Sequence, residues 1–263
     1  MADLVSLAPL YVGPLQGFPP AGIGQSPPVG AIHGRSLLDR DALAAAIKRY
    51  ADHRDSHGER FGAVVSEWSK LYAIALLVPV VSANILLEQD IPIAFDALHL
   101  ELDENGLPAR FWFSEFASPL ATTDVPARFS PLLAHLEAIV DVFAALSGYS
   151  TKVFWSNAGN VFEHFASAMH RHPLAVTGSG ASAQTLIEMR TLHDRRRNPL
   201  YQPVRYLDCG GETLRRVRKL CCLRYVLPVG EGGAPYCGAC PLRTENKAKA
   251  LSRNVRRRER VEK

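Results

Sequence analysis

A run of 17 uncharged residues, Leu71–Leu87, constrains the fold of this chain more than any other feature. A membrane-spanning helix needs about 20 predominantly apolar residues. This run is shorter, and it contains Pro79, Ser82 and Asn84. It is therefore predicted to be a helix in the centre of a hydrophobic core, broken near Pro79, with association with a membrane as the alternative.

The rest of the chain can supply that core. It has 263 residues, of which 47% are hydrophobic, and this is enough for one large domain or for a domain with a small appendage. Charged residues make up 21%, too few for a disordered protein. Residues 1–28 lack the basic start and apolar run of a secretory signal, so a cytoplasmic location is predicted.

Four segments are distinguished by their composition. Residues 1–35 are rich in proline and glycine and are predicted to form an irregular lead-in. Residues 36–199 are predicted to form an α+β body that binds the substrate. Residues 200–245 hold the clustered cysteines and are predicted to form a small metal-binding lobe. Residues 246–263 form a basic tail.

The body is predicted to be mostly helical, with one β-hairpin or small antiparallel sheet. Apolar periodicity predicts helices over residues 37–52, 59–78, 80–88, 131–146, 161–169 and 181–192. Ser36 and Asp39 resemble a capping box at the first helix. The dipeptide Asn105-Gly106 separates alternating residues 98–103 from 111–113, which is the pattern of a hairpin.

All five cysteines lie between positions 209 and 240. Four form the pattern Cys221-Cys222 and Cys237-x-x-Cys240, with 14 residues between the pairs. In a cytoplasmic protein such a cluster is more often a metal site than a set of disulfides. The fifth, Cys209, is a spare thiol, a buried small hydrophobe or a replacement ligand.

The spacing favours iron–sulfur over zinc. Structural zinc sites usually take their ligands in spaced pairs, whereas Cys221 and Cys222 are adjacent, and neighbouring side chains on an extended segment diverge. A two-iron cluster is a larger object that needs four thiolates, two on each iron. A [2Fe–2S] cluster on Cys221, Cys222, Cys237 and Cys240 is therefore predicted, and zinc remains the alternative at this point.

The residues around the cysteines carry a more specific signal. Residues 215–225 read RRVRKLCCLRY and residues 236–242 read YCGACPL. Together they resemble the C-terminal signature of the FhuF-type ferric siderophore reductases, in which two such segments hold a [2Fe–2S] cluster. Residues 153–157 are similar to a Trp-x-Asn element of that family, and residues 198–200 extend the likeness. The gap between the pairs is longer than is usual in the family, and the extra residues fit the loop 229–234.

This resemblance implies a function. The chain is expected to be a ferric-siderophore reductase that transfers one electron from the cluster to chelated Fe(III) and so releases Fe(II). Because the sequence shows no nucleotide-binding motif, an electron-donor protein, ferredoxin-like or a flavin reductase, is the expected partner. No catalytic residue beyond the cluster, and no nucleic acid, is expected. Peripheral association with the inner membrane is left open.

Charged and aromatic residues suggest where partners bind. Arg216, Arg218, Arg224 and Trp155 are candidates for a surface that receives the substrate or the donor; solvated arginines and a core tryptophan are the simpler alternatives. Residues 243–263 carry nine lysines or arginines against three glutamates. If zinc filled the site, such a tail could make the chain a nucleic-acid-binding protein. An iron–sulfur redox sensor is the remaining alternative.

Overall fold

The structure is a computed structural model that describes residues 6–24, 26–208, 214–229 and 235–243. Cys209, loop residues 230–234 and the basic tail 246–263 lie outside the described residues, and so the predictions made for them stay predictions.

The described α-helices surround one long central helix, α2. They are α1 Arg40–His53, α2 Phe61–Leu87, α3 Val125–Arg128, α4 Ser130–Ser147, α5 Thr151–Ala168 and α6 Ala181–Glu188. Helix α2 packs against α1, α4, α5 and one face of a sheet. By length and composition, α2 and α4 could each cross a membrane. However, 72% of the most apolar stretch of α2 is buried inside the protein, against 33% for α4.

The predicted break at Pro79 is wrong, because α2 continues through this residue. A proline inside a helix removes one hydrogen bond and costs about 3 kcal/mol. Here Val78, Val80 and Val81 are all buried, and their packing offsets that cost. The Ser82 hydroxyl also donates to the Val78 carbonyl at 2.6 Å, within the turn that contains the proline.

The described residues also form eight short strands. They are β1 Gly22–Ile23, β2 Ile32–His33, β3 Gln89–Asp90, β4 Leu98–Leu102, β5 Pro108–Phe113, β6 Ser118–Pro119, β7 Val204–Leu207 and β8 Arg215–Arg218. The main sheet has the order β1-β5-β4-β2, with β1 parallel to β5 and the other pairs antiparallel. The strands β3–β6 and β7–β8 form two separate pairs.

The predicted hairpin is confirmed as β4 and β5, and with it the α+β class with a mostly helical body. Gly106 has φ +83° in the connecting turn, a conformation that glycine adopts without steric cost. The alternating residues Leu98, Leu100, Phe111 and Phe113 are fully buried. They form the apolar face of the sheet that packs against α2, which explains the period of two in the sequence.

The N-terminal lead-in is less irregular than predicted. It contains two short 3₁₀ turns as well as β1 and β2, and Leu7, Leu15 and Ile23 are fully buried in the main core. The expected capping box at Ser36 is also wrong. Asp39 is the N-cap of α1, and its carboxylate accepts the backbone N–H of Ala42 at 2.8 Å.

Strands β7 and β8 lie against α5, which begins ten positions earlier than predicted, at Thr151 instead of 161. A Cβ atom on Gly159 would come within 2.7 Å of the Pro203 Cβ atom. Glycine at this position therefore allows the chain leading into β7 to approach α5 closely. The position of the cysteine segments beyond β8 depends on this contact.

A buried histidine couples α2 to α4. His135 Nδ1 donates to the Ile93 carbonyl at 2.8 Å, and Nε2 accepts from the Tyr72 hydroxyl at 2.6 Å. Its ring also stacks on Phe95, with a centroid distance of 4.1 Å. Burial lowers the pKa of His135 to about 4. The ring is therefore neutral in the folded protein at ordinary pH.

This histidine should make the protein sensitive to acid. The unfolded chain binds a proton at His135 near pH 6.5, whereas the folded chain does not until about pH 4. Stability should therefore fall as the pH drops between these values, by about 1.4 kcal/mol per pH unit at most. Urea unfolding at several pH values checks this. The His135→Gln protein should lose this part of the pH dependence, and an identical slope in both proteins would contradict the assignment.

Candidate metal centre

Strand β8 brings the two cysteine segments together. The Cys221-Cys222 pair follows the end of β8 after two residues. The backbone N–H of Arg218, the last residue of β8, donates to the Ala239 carbonyl at 2.9 Å. Because Ala239 lies inside the turn Cys237–Cys240, this hydrogen bond places the turn beside the adjacent pair.

Helices α2 and α5 anchor the first pair. The Ser66 hydroxyl of α2 donates to the Cys222 carbonyl at 2.9 Å, and the Ser156 hydroxyl of α5 donates to the Leu220 carbonyl at 3.4 Å. Leu223 has φ +62°, a left-handed conformation that few residues other than glycine adopt. The chain thus reverses immediately after the second cysteine and keeps the pair against the helices.

The sulfurs of Cys222 and Cys237 lie 3.7 Å apart. Two thiolates on one tetrahedral metal, at about 2.3 Å each, have sulfurs about 3.8 Å apart. These two cysteines are therefore at the separation that a shared metal requires. Cys222 and Cys240 are buried, while Cys221 and Cys237 are partly exposed, so the site lies at the edge of the protein and not in its centre.

Backbone N–H groups point at the other two sulfurs. The N–H of Leu223 donates to Cys221 Sγ at 3.3 Å, and the N–H of Leu242 donates to Cys240 Sγ at 3.4 Å. Such donors stabilise negative charge on sulfur and are one of the means by which proteins adjust the potential of an iron–sulfur cluster. The local backbone is thus arranged for thiolates.

Cys222 differs in acidity from the two cysteines that donate hydrogen bonds to it. Hydrogen bonds from Cys221 and then Cys237, together with the charge of Arg218, lower the pKa of Cys222 strongly. Donation of those bonds to Cys222, followed by burial, raises the pKa of both Cys221 and Cys237. Negative charge is thus favoured at Cys222, and bound metal ions would take the place of the protons on the neighbouring thiols.

The buried cation beside these sulfurs has no carboxylate partner among the described residues. Arg218 is 1% exposed. Its Nη2 donates to the side-chain oxygen of Asn157 and, at 3.4 Å, to the Ser156 hydroxyl, while its Nε has no hydrogen-bond partner. A buried guanidinium without a counter-charge is costly. Cys222, whose pKa the charge of Arg218 helps to lower, is therefore a described group that can supply a compensating negative charge.

Asn157 connects this arginine to the central helix. Its Nδ2 donates to the Ser66 carbonyl and to the Ser69 hydroxyl, both at 2.9 Å. Asn157 itself is fully buried. The side-chain oxygen of Asn157 thus accepts from Arg218, and its side-chain nitrogen donates to α2. These hydrogen bonds hold the guanidinium in a fixed position relative to the helix.

The outer arginines differ from Arg218, since each has an acidic partner. Arg216 forms an ion pair with the buried Glu163, and Arg224 Nε lies 3.8 Å from Glu67 Oε1. Glu67 is buried and also accepts from the Tyr50 hydroxyl at 2.8 Å. These pairs attach the cysteine lobe to α5 and α2, and they offset much of the positive charge expected near the site.

The four residues predicted to form a surface for the substrate or the donor differ in their exposure and in their partners. Arg218 is buried and does not face solvent, and its contact with a substrate or donor stays a prediction. Arg216 and Arg224 are partly exposed but paired. Trp155 lines a groove of about 430 Å³ whose wall includes Lys219 and Leu220, the two residues before Cys221.

Sequence reasoning missed the supporting residues on α2. Ser66, Glu67 and Ser69 lie about 150 positions before the first cysteine pair in an otherwise apolar helix. Polar side chains in such a helix were the available signal, because buried polar groups need partners. Nothing in their spacing, however, pointed to the cysteines.

Within the described ranges, no group of three or more histidine, cysteine, aspartate or glutamate side chains is arranged around a single metal ion. Cys222 and Cys237 instead approach each other as a pair. Cys221 and Cys240 accept backbone N–H groups, and Arg218 is a buried cation without a described carboxylate partner. This donor set suits an anionic centre held by thiolates.

Two comparisons place the chain among known proteins. The family described as "ferric iron reductase FhuF-like transporter" matches residues 66–214, more than half of the chain. That match ends before Cys221, so it is independent of the cysteine segments.

The ferric siderophore reductase of Escherichia coli (strain K12) is 27% identical over 182 residues. The aligned region covers 68% of this chain and 66% of that relative, slightly less than two thirds of its length. On the extent of the family match, this chain belongs to the FhuF-like ferric iron reductase family.

Proposed function

We propose that this protein is a ferric-siderophore reductase that holds one [2Fe–2S] cluster on Cys221, Cys222, Cys237 and Cys240. The observation that carries the proposal is the buried Arg218, unpaired with any described carboxylate, beside the sulfurs of Cys222 and Cys237, which lie 3.7 Å apart. The family and the name of the E. coli relative support the same activity. They give no support to the alternative of a zinc protein that binds nucleic acid.

The chemistry of the substrate explains why such a centre is useful. Siderophores bind iron through hard oxygen donors, which prefer Fe(III) to Fe(II). One added electron therefore weakens the chelate and releases the metal. Each tenfold preference for Fe(III) lowers the potential of the chelate by about 59 mV, so the donor must have a low potential. A [2Fe–2S] cluster supplies one electron at about −400 mV in plant-type proteins.

The residues of this chain position and adjust that centre. Ser66 and Ser156 hold the backbone of the first pair against two helices, while Arg218 supplies a fixed positive charge that Asn157 orients. The partly exposed Cys221 and Cys237 place one edge of the site near solvent. An electron can therefore enter or leave there without a change in the fold. We propose a cytoplasmic location and a donor protein that meets this edge.

Ligand substitutions test the assignment. Changing Cys221, Cys222, Cys237 or Cys240 to Ser should abolish or grossly alter the visible absorption of the purified protein and lower its iron content. Cys209→Ser is the matched control and should leave both unchanged. A normal spectrum from the Cys222→Ser protein would refute the four-ligand site and make Cys209 the leading substitute.

The type of cluster is tested by reduction. Anaerobic dithionite should bleach the absorption, and the reduced protein should show an EPR signal from one unpaired spin. The same reduced protein should release Fe(II) from ferric chelates in the presence of a colorimetric Fe(II) chelator. Zinc without iron in elemental analysis, or a reduced state with no EPR signal, would refute the proposed cluster.

Arg218 and Arg224 should affect the cluster potential unequally. Removing a buried positive charge that lies several ångströms from the cluster destabilises the reduced cluster by about 2 kcal/mol, at an effective dielectric constant near 20. For one electron, this corresponds to a fall in potential on the order of 100 mV. Arg218→Gln should lower the potential by roughly this amount, and Arg218→Lys by less. Arg224→Gln should shift it by only tens of millivolts because Glu67 and solvent offset that charge.

Spectroelectrochemical titration of the three variants gives the comparison. Equal potentials in the wild-type and Arg218→Gln proteins, with full iron content in both, would show that Arg218 is not the counter-charge of the site.

A further inference from the structure

A basic groove adjoins the first cysteine pair. Lys152, Arg197 and Lys219 line it, and no described aspartate or glutamate does. All three are exposed to solvent, and none forms an ion pair with a carboxylate in the described part of the chain. The neighbouring Arg196, by contrast, pairs with two carboxylates. The groove thus carries positive charge that the described chain does not neutralise.

Two of these cations are near enough to repel each other. Burial, and then the positive charge of Arg197, lowers the pKa of Lys219. Lys219 Nζ also lies 5.3 Å from the centroid of the Tyr201 ring, a cation–π contact that holds the ammonium group at the wall of the groove. Like charges at close range raise the free energy of the folded protein. An anionic group bound beside them lowers it, so the groove favours an anionic partner.

Exposed apolar side chains flank the cysteines. Leu220, Tyr225 and Tyr236 are 41%, 44% and 39% exposed. Leu220 immediately precedes Cys221, and Tyr236 immediately precedes Cys237. The centroids of the two tyrosine rings lie 6.2 Å apart, so these rings connect the two cysteine segments at the surface. Exposed apolar residues that cluster in this way are typical of an interaction surface.

The groove and the apolar side chains form one continuous surface. Leu220 belongs to both of them. The partly exposed Cys221 and Cys237 place an edge of the proposed cluster at the same surface. Electron-transfer complexes use small interfaces, below about 1,200 Å² in total, which hold their partners only transiently. A few apolar side chains beside a group of cations suit a contact of this kind.

The charge of the groove suits a protein better than a ferric chelate. Negative charge on a chelator stabilises Fe(III) more than Fe(II), so the most anionic chelates have the lowest potentials. A surface that attracted them would collect the substrates that are hardest to reduce. A second copy of this chain would bring the same cations face to face. An acidic electron carrier has neither disadvantage.

We propose that a small acidic protein that carries one electron docks on the surface formed by Lys152, Arg197, Lys219, Leu220, Tyr225 and Tyr236. This inference rests on the proposed reductase function and identifies the donor side of the reaction. The reduced carrier loses one electron at this surface, and the oxidised [2Fe–2S] cluster gains it. No atom or proton is transferred. The cluster then passes the electron to the chelated Fe(III).

The rate of cluster reduction tests the proposal. An acidic flavodoxin in its hydroquinone state is freed of excess reductant and mixed anaerobically with the oxidised full-length protein in a stopped-flow instrument. Flavodoxin semiquinone should form as the cluster absorption bleaches. The second-order rate constant should fall about tenfold or more from low to high salt, because salt screens opposite charges. Reduced methyl viologen, a small cation, should reduce the cluster without this loss of rate.

Substitutions then locate the surface. The double substitution Lys152→Gln and Arg197→Gln should slow the reaction with flavodoxin about tenfold at low salt and make it less sensitive to salt. Arg196→Gln is the matched control, with no expected effect, because that arginine is already paired. The visible spectrum and iron content of each variant show whether the cysteine lobe is intact. The prereduced double variant should reduce a neutral ferric trihydroxamate at the wild-type rate.

An unchanged flavodoxin rate in the double variant would overturn the inference. So would the absence of any reaction with flavodoxin when methyl viologen reduces the cluster, or a loss of rate only with the ferric chelate, which would assign the groove to the substrate. A protein that lacks a cluster would refute the proposed function instead. Titration calorimetry with oxidised flavodoxin would then still show whether the double substitution weakens docking.

Discussion

The hydrogen bond between the buried Arg218 guanidinium and Asn157 is the interaction on which the candidate site depends. Asn157 lies on α5 and also donates to Ser66 and Ser69 on α2, so one amide connects the strand before the cysteines to both central helices. Around it, the Ser66 hydroxyl holds the Cys222 carbonyl. The cysteine lobe is therefore positioned by polar contacts with the most buried helix of the fold.

The positively charged side chains near the candidate site have different roles. Arg218 is buried and unpaired with any described carboxylate, and its charge helps to lower the pKa of Cys222. Arg216 and Arg224 are balanced by Glu163 and Glu67 and serve mainly to attach the lobe. Lys152, Arg197 and Lys219 line the groove beside the first cysteine pair and are exposed to solvent.

Local patterns in the sequence predicted much of this fold. The Asn-Gly hairpin followed from a turn and a period of two, and the central helix from an uncharged run. The predicted break at Pro79 was wrong because tertiary packing on both sides outweighs a local preference. The start of α5 was missed because its first turns mix apolar residues with Ser156 and Asn157. These two polar side chains are buried through hydrogen bonds to α2 and β8 that form only in the folded chain.

The candidate site was predictable only in part. Its cysteines and arginine-led segment are close together in sequence and carry a recognisable spacing. Asn157 was noticed through a family motif, but its partners Ser66 and Ser69 lie on another helix. The groove combines residues from positions 152 to 220, and the pairing that distinguishes Arg196 from Arg197 exists only after folding. Whether a cation is buried, paired or free is a property of the tertiary structure.

A single-turnover experiment tests whether the cysteine centre itself passes its electron to the ferric chelate. Anaerobically reduced protein, free of excess reductant, is mixed with a ferric chelate and an Fe(II) indicator in a stopped-flow instrument. If the cluster is the electron donor, its absorption should return at the same rate as the Fe(II) complex forms, with one Fe(II) for each reduced cluster. Reoxidation without Fe(II), or Fe(II) formation at the same rate by a Cys222→Ser protein that lacks the cluster, would contradict it.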